Sequence, residues 1–347
     1  MSVVTLATIA NSLATLFEDR ISSQINRATV LLQLVPVGNG PGKNITWSAR
    51  FGTAVGSTIA DGADVAGFNN DEKVPANLEY GTYHDTFAVT GKAMAAAANT
   101  NNPNELADLF GDELGDCVER LAKKISQDLY TGTGAVNAIH GLVAAPGAIT
   151  DTGVYAGIDR GVRTQWAGNV DDNGGIGRAL TFDLMGDMRV SIYTASGMKP
   201  DLIVTTPALH RKFSNLFTTN RRYTQEVFLR GQKITLQGGY GALFFDDIPV
   251  VEDVDCPAGH MIFLNTRVMR VAQLPDPANA INQAMGSIGV AGTEEEQFGQ
   301  PTGRLTARIN PLARTGDAFK FQLICYPQLQ VRRPNAFGVI KDLDATL

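Results

Sequence analysis

Apolar residues recur at steps of three and four along residues 103–130. They are Leu106, Phe110, Leu114, Cys117, Val118, Leu121, Ile125 and Leu129. This spacing places them on one side of an α-helix, with Asn102 as the predicted N-cap and Pro103 in the first turn. The glycines at 132 and 134 supply a stop. The pattern predicts a rod of about 42 Å, far longer than an average helix. An ordinary long core helix would show the same pattern.

Residues 44–52 and 76–92 alternate between apolar and polar side chains, as β-strands do. The chain between them is rich in Gly, Ala, Asn and Asp, which predicts a long hairpin with a weakly hydrophobic tip. A two-stranded hairpin is only marginally stable alone, so it must lie on another surface. That surface belongs either to its own domain or to a neighbouring subunit.

The rest of the chain alternates between predicted helices and strands. Helices are predicted within 1–35, over 179–195 with Thr181 as the cap, and over 207–217. A turn, a short strand and a second turn are predicted over 131–146. Further strands are predicted over 200–206, 242–251, 260–272 and 318–331, and Pro327 implies an edge or a bulge in the last. This order predicts a mixed α/β domain.

The composition is typical of a globular protein, and the net charge limits the kinds of partner that the chain could bind. Of its 347 residues, 44% are hydrophobic and 18% are charged, and the formal net charge is −6. Mild acidity argues against a dedicated nucleic-acid-binding face, which would be basic. Cys117, Cys256 and Cys325 are far apart and odd in number, which favours reduced thiols in a cytoplasmic product. We expect no membrane contact, since no apolar run reaches about 18 residues.

Residue types found in catalytic and metal sites occur, but not at the spacings that such sites need. His84, His140, His210 and His260 have no partner ligands at metal-binding spacing, and no nucleophile elbow or zinc-protease motif occurs. The glycine-rich run before Lys43 lacks the spacing of a phosphate loop. We therefore expect no enzyme activity, no cofactor and no metal. An α/β enzyme would need a convergent polar pocket, which these residues do not assemble.

Acidic residues cluster at two places. Asp246 and Asp247 are adjacent, and neighbours on a strand point to opposite faces, so we expect turn or surface residues. The second place is an acidic run of Glu294, Glu295 and Glu296. It is either a solvated loop or an electrostatic contact with arginines of a neighbouring copy, for which the candidates are Arg304, Arg308 and Arg314.

Three segments, taken in order, resemble the major capsid proteins of tailed bacteriophages, which have the HK-97 fold. The first is the hairpin and long helix with its glycine-rich exit, DLYTGTGAVNAIHGLVAAPG. The second is PDLIVTTPALHRKFSNLF, and the third is FFDDIPVVEDVDCPAGHMIFLN. The resemblance spans nearly the whole chain and rests on the order and spacing of these segments, because no single motif is specific. An encapsulin, a cellular compartment shell with the same fold, is the alternative.

The resemblance implies an α+β fold with named parts. These are an N-terminal arm over 1–43, an extended E-loop hairpin over 44–92, a P-domain over 93–175 that includes a spine helix over 103–130, a mixed α/β A-domain over 176–275, and a return to the P-domain over 276–347. In such coats the E-loop lies over the adjacent subunit, which makes Phe68 at its tip a candidate contact. Some relatives join an E-loop Lys to a P-domain Asn covalently, and Lys73 and Asn335 are the positions to consider here.

The resemblance also implies a partner set. The subunit would associate with itself as pentamers and hexamers and close an icosahedral shell around double-stranded DNA, which it would contact non-specifically. A separate scaffolding protein is expected, because residue 1 runs almost directly into the arm. A portal and decoration proteins are further expected partners. Assembly would take place in the host cytoplasm, and the product would be the virion capsid.

Overall fold

The computed structural model describes residues 30–40, 42–52, 58, 61, 71–98, 105–216, 227–229, 232–234, 243–274, 307–313 and 316–347. The helices within these ranges are α1 (Val30–Leu34), α2 (Gly91–Ala98), α3 (Glu105–Thr131), α4 (Phe182–Ser196) and α5 (Pro207–Leu216). The amphipathic stretch predicted as a helix over residues 9–21 lies outside the described residues. No described helix is long and apolar enough to cross a membrane.

The β-strands of the described ranges belong to several small sheets and one larger sheet. In chain order they are β1 (Val37–Asn39), β2 (Ile45–Phe51), β3 (Glu72–Leu78), β4 (Tyr83–Thr90), β5 (Val154–Tyr155), β6 (Ile158–Asp159), β7 (Asn169–Asp171), β8 (Leu202–Thr205), β9 (Val227–Leu229), β10 (Gln232–Ile234), β11 (Leu243–Phe245), β12 (Ile248–Glu252), β13 (Met261–Leu264), β14 (Met269–Gln273), β15 (Arg308–Pro311), β16 (Ala318–Cys325), β17 (Pro327–Val331) and β18 (Gly338–Ile340).

Helix α3 confirms the long helix that the sequence predicts, while its expected caps Asn102 and Pro103 lie outside the described residues. Leu121, Ile125 and Leu129 are buried as predicted. The prediction that Val118 lies on the buried side is wrong, because the residue is 46% exposed. Val118 lies about 100° around the helix from the buried Cys117, on the side that its own subunit leaves open. Cys117 takes the inner position, beside Asp85 of β4.

The hairpin is shorter than predicted. Strands β2 and β3 pair antiparallel from Ile45 opposite Leu78 to Phe51 opposite Glu72. Residues 83–90, predicted as part of the same second strand, instead form β4 and pair with β16. The chain turns between the two strands, where the Gly81 N–H donates to the Pro327 carbonyl (3.0 Å). Apolar and polar residues continue to alternate between Leu78 and Tyr83, so the sequence pattern does not show that one strand ends and another begins there.

A six-stranded mixed sheet lies at the centre of the second half of the chain, in the order β11-β12-β8-β13-β18-β7. Thr181 caps α4 as predicted, with its side chain accepting from the Leu184 N–H. Helices α4 and α5 pack with Ile203, Met261 and Phe263 on one face of the sheet. The residues that alternate with these strand positions face the larger core, which also contains α3.

Three more predicted strands prove to be pairs. Residues 242–251 form the hairpin β11-β12, with Asp246 and Asp247 in its turn at φ of 50° and 68°. Residues 260–272 divide into β13 and β14, and residues 318–331 into β16 and β17, whose members belong to different sheets. Pro327 opens β17, an edge strand. The short strand predicted within 131–146 reduces to one bridge, between Thr133 and His140.

Candidate functional site

The base of the β2-β3 hairpin packs on an aromatic cluster of its own subunit. The Trp166 ring lies 6.4 Å from Trp47 and 5.8 Å from Phe51, measured between centroids. The indole N–H of Trp166 donates to the Tyr155 carbonyl (3.1 Å), which fixes the ring. The hairpin is therefore held at Trp166, and we call Trp47, Phe51 and Trp166 its aromatic anchor. Its opposite face, which includes Arg50, Lys73 and Asn77, is exposed.

Arg160 is buried beneath this anchor without a carboxylate in hydrogen-bonding contact. Its guanidinium donates to the carbonyls of Gly147, Ala148, Thr152 and Trp166, and to the Thr150 hydroxyl. Burial lowers the pKa of Arg160 to about 10, so the group still carries its charge at neutral pH. The planar guanidinium of Arg160 thus holds together the loop that supports Trp166.

A second connection lies where α3 ends. The Tyr83 hydroxyl donates to Asp128 on α3 (2.7 Å) and accepts from the Ile139 N–H (3.1 Å). Burial, followed by the Asp128 carboxylate, raises the pKa of Tyr83 well above its usual value. The His140 N–H donates to Gln328 (2.9 Å). The glycine-rich exit after α3 is therefore held against both β4 and β17.

A third connection ties α3 to the start of the described chain. Asp253 is 1% exposed, and its carboxylate accepts from the Tyr130 hydroxyl (2.7 Å) and from the Leu31 N–H (3.2 Å). Burial, followed by the Asp253 charge, raises the pKa of Tyr130 well above its usual value. Nearby, Ser126 donates to Asp255 (2.8 Å). The Asp253 carboxylate joins α1, the long helix α3 and the turn that follows β12.

Helices α3 and α4 carry some of the large apolar side chains that are exposed among the described residues. On α3, Val118 is exposed, and no described atom lies within 4 Å of the position that a Cβ on Gly115 would take. On α4, the exposed large side chains are Phe182, Val190 and Tyr193. Exposed large apolar groups on folded elements indicate surfaces that bind other molecules when they lie side by side.

The described residues bring together no constellation typical of catalysis or metal binding. Among them, no group of three or more His, Cys, Asp and Glu is placed to hold a metal. The three cysteines are free and buried. Burial raises the pKa of Cys117 to about 11 and that of Cys325 to about 12, so both thiols stay protonated at neutral pH and are poor nucleophiles. Of the histidines, His210 lies 3.5 Å from Glu252, which is half-exposed and belongs to no larger group.

Most of the contact residues predicted from the sequence fall outside the described part of the chain. These are Phe68, Glu294, Glu295, Glu296, Arg304 and Arg314. Lys73 lies on β3 opposite Arg50, and Arg308 opens β15 opposite Ile324. The Asn335 amide donates to the Ala195 carbonyl (3.0 Å).

Sequence reasoning missed the groups that hold the loop under Trp166 and those that tie the end of α3 to the sheet. Tyr130 and Asp253 are 123 positions apart, and the pattern around each gives no sign of the other. Arg160 was not singled out either, because a cation among glycines and threonines is typical of a surface loop. A signal was available only for Tyr130, which continues the buried side of α3 by one residue beyond Leu129.

The fold is that of the HK97-like phage capsid proteins. The chain superposes on a protein from the capsid of cyanophage A-1(L) with a TM-score of 0.71 at 23% identity, covering 98% of this chain and 99% of that one. It superposes on a chain from the capsid of a native GTA particle with a TM-score of 0.58 at 13% identity, covering 98% of this chain and 100% of that one. The SrpI encapsulin of Synechococcus elongatus gives 0.57 at 12% identity, covering 99% and 98%.

The sequence itself identifies the family. The family model of the SU10 major capsid protein matches residues 57–344. The chain belongs to this family and is a phage major capsid protein. A search of curated proteins gives no match.

Proposed function

We propose that this subunit works by association and not by catalysis, and that pentamers and hexamers of it close an icosahedral shell around double-stranded DNA. The observation that carries the proposal is its membership of a capsid protein family across residues 57–344. Burial of apolar surface drives such assembly, and symmetric repetition closes it.

The division of labour within the subunit follows the predicted parts. The N-terminal arm (1–43) and the E-loop (44–92) reach neighbouring subunits, and the P-domain (93–175 and 276–347) and the A-domain (176–275) form the body of the shell. The anchored base of the hairpin supports this arrangement, because Trp47 and Phe51 fix the direction in which the E-loop leaves the subunit. Phe68 then lies against the adjacent copy.

The net charge supports a non-specific contact with DNA. A net charge of −6 suits a shell that confines DNA without gripping it. We propose a separate scaffolding protein to guide assembly in the host cytoplasm, a portal for DNA entry, and decoration proteins on the outer surface. Co-purification of these products with assembled particles is the direct check.

Contacts between the acidic run and arginines form a second set of proposed interactions between subunits. Glu294, Glu295 and Glu296 face Arg304 and Arg308 of a neighbouring copy. Replacing all three glutamates by glutamine then weakens assembly most at low salt, where charges are screened least. Equal assembly of variant and parent across a salt series assigns the run to a solvated loop.

A cellular compartment shell is the second candidate, because the SrpI encapsulin shares the fold. The two functions differ in what the shell encloses. Nucleic acid inside purified particles supports the phage coat, and a co-expressed cargo enzyme supports the compartment.

Size-exclusion chromatography with light scattering tests the proposal. The purified chain, alone and with the scaffolding product, elutes in species of at least five subunits. A sharp monomer under all these conditions removes the basis for the shell.

A further inference from the structure

Three loops meet at one end of the six-stranded sheet. They are residues 197–201 before β8, residues 265–268 between β13 and β14, and residues 332–335 after β17. Strands β8 and β13 pair antiparallel with Leu202 opposite Leu264, so the first two loops lie at the same end of the sheet. Each loop exposes one cation, and these are Lys199, Arg267 and Arg333. We call these three residues the basic patch.

Hydrogen bonds between the loops hold the basic patch together. The Asn265 amide donates to the Lys199 carbonyl (2.9 Å), which joins the first loop to the second. The Arg332 N–H donates to the Val268 carbonyl (2.9 Å), which joins the second loop to the third. Each cation of the patch either makes one of these bonds or neighbours a residue that does. Because successive Cα atoms are about 3.8 Å apart, the three cations lie within roughly 15 Å of one another.

The charge of the patch is not neutralised within the subunit. Among the described residues, neither Lys199 nor Arg267 makes an ion pair. The three loops contain four cations and one acid, Asp201. The Asp201 carboxylate accepts from both the N–H and the hydroxyl of Thr266, each at 2.8 Å. A chain with a net charge of −6 therefore concentrates positive charge at this end of the sheet.

The polar character of the patch favours a polyanion over a folded protein surface as its partner. None of the large apolar side chains that are exposed in the described part of the chain belongs to these loops. Protein interfaces usually have an apolar centre, whereas contacts to phosphate come from Arg, Lys and other polar groups. The Arg333 guanidinium is held by the Ser196 carbonyl (3.0 Å) at the end of α4, which fixes its position and leaves its charge intact.

We propose that the basic patch binds the phosphate backbone of the enclosed duplex DNA, so that this end of the six-stranded sheet faces the interior of the shell. The inference rests on the proposed shell function and names the surface that makes its non-specific DNA contact. Duplex DNA carries one negative charge per about 1.7 Å of its axis, so a patch of this width meets several phosphates whatever the sequence.

Binding of short duplex DNA to dissociated full-length subunits tests the patch. Fluorescence anisotropy across a salt series gives the affinity and its salt dependence. Lys199→Gln/Arg267→Gln removes the two cations that have no partner in the subunit. The slope of log affinity against log salt should become shallower by about 2, and the affinity at low salt should fall about tenfold or more. The loss should be the same for two duplexes of different sequence, because phosphate contacts carry no sequence information.

Two matched variants separate the patch from charge in general. Lys43→Gln/Lys92→Gln makes the same change of charge at two exposed cations outside the three loops, and it binds DNA as the parent does. Lys199→Arg/Arg267→Lys keeps both positive charges and keeps the binding. Far-UV circular dichroism checks that each variant folds. An equal loss of DNA binding in the Lys43/Lys92 variant overturns the patch as a distinct site.

Acetylation of lysines in assembled particles tests which way the patch faces. Mass spectrometry compares each lysine in particles that contain DNA with the same lysine in particles that have been emptied. Lys199 should be modified severalfold less when DNA is present, whereas Lys92 should be modified equally in both. Equal modification of Lys199 in filled and emptied particles overturns its contact with the enclosed DNA.

The outcomes separate this inference from the shell function. A parent chain that never assembles overturns the shell function itself. A parent that assembles, and whose subunits bind duplex DNA as tightly after the Lys199→Gln/Arg267→Gln change, overturns the basic patch alone. Unchanged DNA binding together with weaker assembly in that variant also overturns it, and assigns the patch to an acidic protein segment instead of DNA.

Discussion

The hydroxyl of Tyr130 donates a 2.7 Å hydrogen bond to the buried carboxylate of Asp253. Tyr130 is the penultimate residue of α3, and Asp253 directly follows β12 of the six-stranded sheet. The same carboxylate accepts from the Leu31 N–H, so one buried charge fixes the long helix, the sheet and the short helix α1. Loss of one donor leaves this charge under-satisfied in a place that water cannot reach.

Tyr130→Phe removes only that donor. We expect a loss of about 1.5–3 kcal/mol in the free energy of unfolding of the dissociated subunit, the range for hydrogen bonds to charged groups. Chemical denaturation measures it. Tyr193→Phe is the matched control, since that ring is half-exposed, and it changes stability by less than about 0.5 kcal/mol. Equal effects of the two substitutions would contradict the role given to Asp253.

Leu121 and Val118 test which side of α3 faces the core. Leu121→Ala should cost about 2–5 kcal/mol, because Leu121 is buried and its removal leaves a cavity. Val118→Ala, one turn away on the exposed side, should cost less than about 0.5 kcal/mol. Denaturation of dissociated subunits gives both values. A larger loss at Val118 than at Leu121 would mean that the buried side has been assigned wrongly.

Stability should fall as the pH drops below neutral. Burial lowers the pKa of His140 from 6.5, and the Arg160 charge adds to the effect, whereas a hydrogen bond to the Pro146 carbonyl opposes it. Burial also lowers the pKa of His210. As the pH falls, the unfolded chain therefore protonates His140 and His210 before the folded chain does. The stability that is present above about pH 6.5 is lost as the pH falls towards the folded-state pKa values.

The check is the unfolding free energy of dissociated subunits between about pH 7.5 and about pH 5.5, a range that spans the ordinary histidine pKa. His140→Gln removes one of the two titrating groups and should show a shallower decline than the parent. An identical decline in the variant would show that His140 does not contribute.

The E-loop tip should serve association and not folding. Its replacement must stop before β3, because residues 72–74 pair with residues 49–51 and Val74 packs on the core. A Gly-Ser linker in place of residues 57–70 should therefore leave the circular dichroism and the cooperative melt of the subunit nearly unchanged, while closed shells disappear or become fragile. A variant that fails to fold would place the tip in the core of its own subunit, and equally robust shells would make the tip dispensable.

Much of this fold could be predicted from the sequence, because helical spacing and capping are local. Helix α3 and the Thr181 cap of α4 are examples. The strands were harder, since apolar alternation runs on through turns such as that at Gly81. The contacts that tie these elements together could not be predicted, because Tyr130 meets Asp253, and Arg160 meets its loop carbonyls, only after the chain has folded. The sequence also does not tell which apolar residues face outward, because the neighbours Cys117 and Val118 lie in opposite environments.

Electron microscopy of the purified protein in negative stain tests the central claim most directly. The account predicts closed, isometric particles of uniform size whose surfaces show rings of five and six subunits, formed by the chain alone or with its scaffolding product. Fields of separate, compact monomers under every assembly condition, from a chain that is folded by circular dichroism, would contradict it.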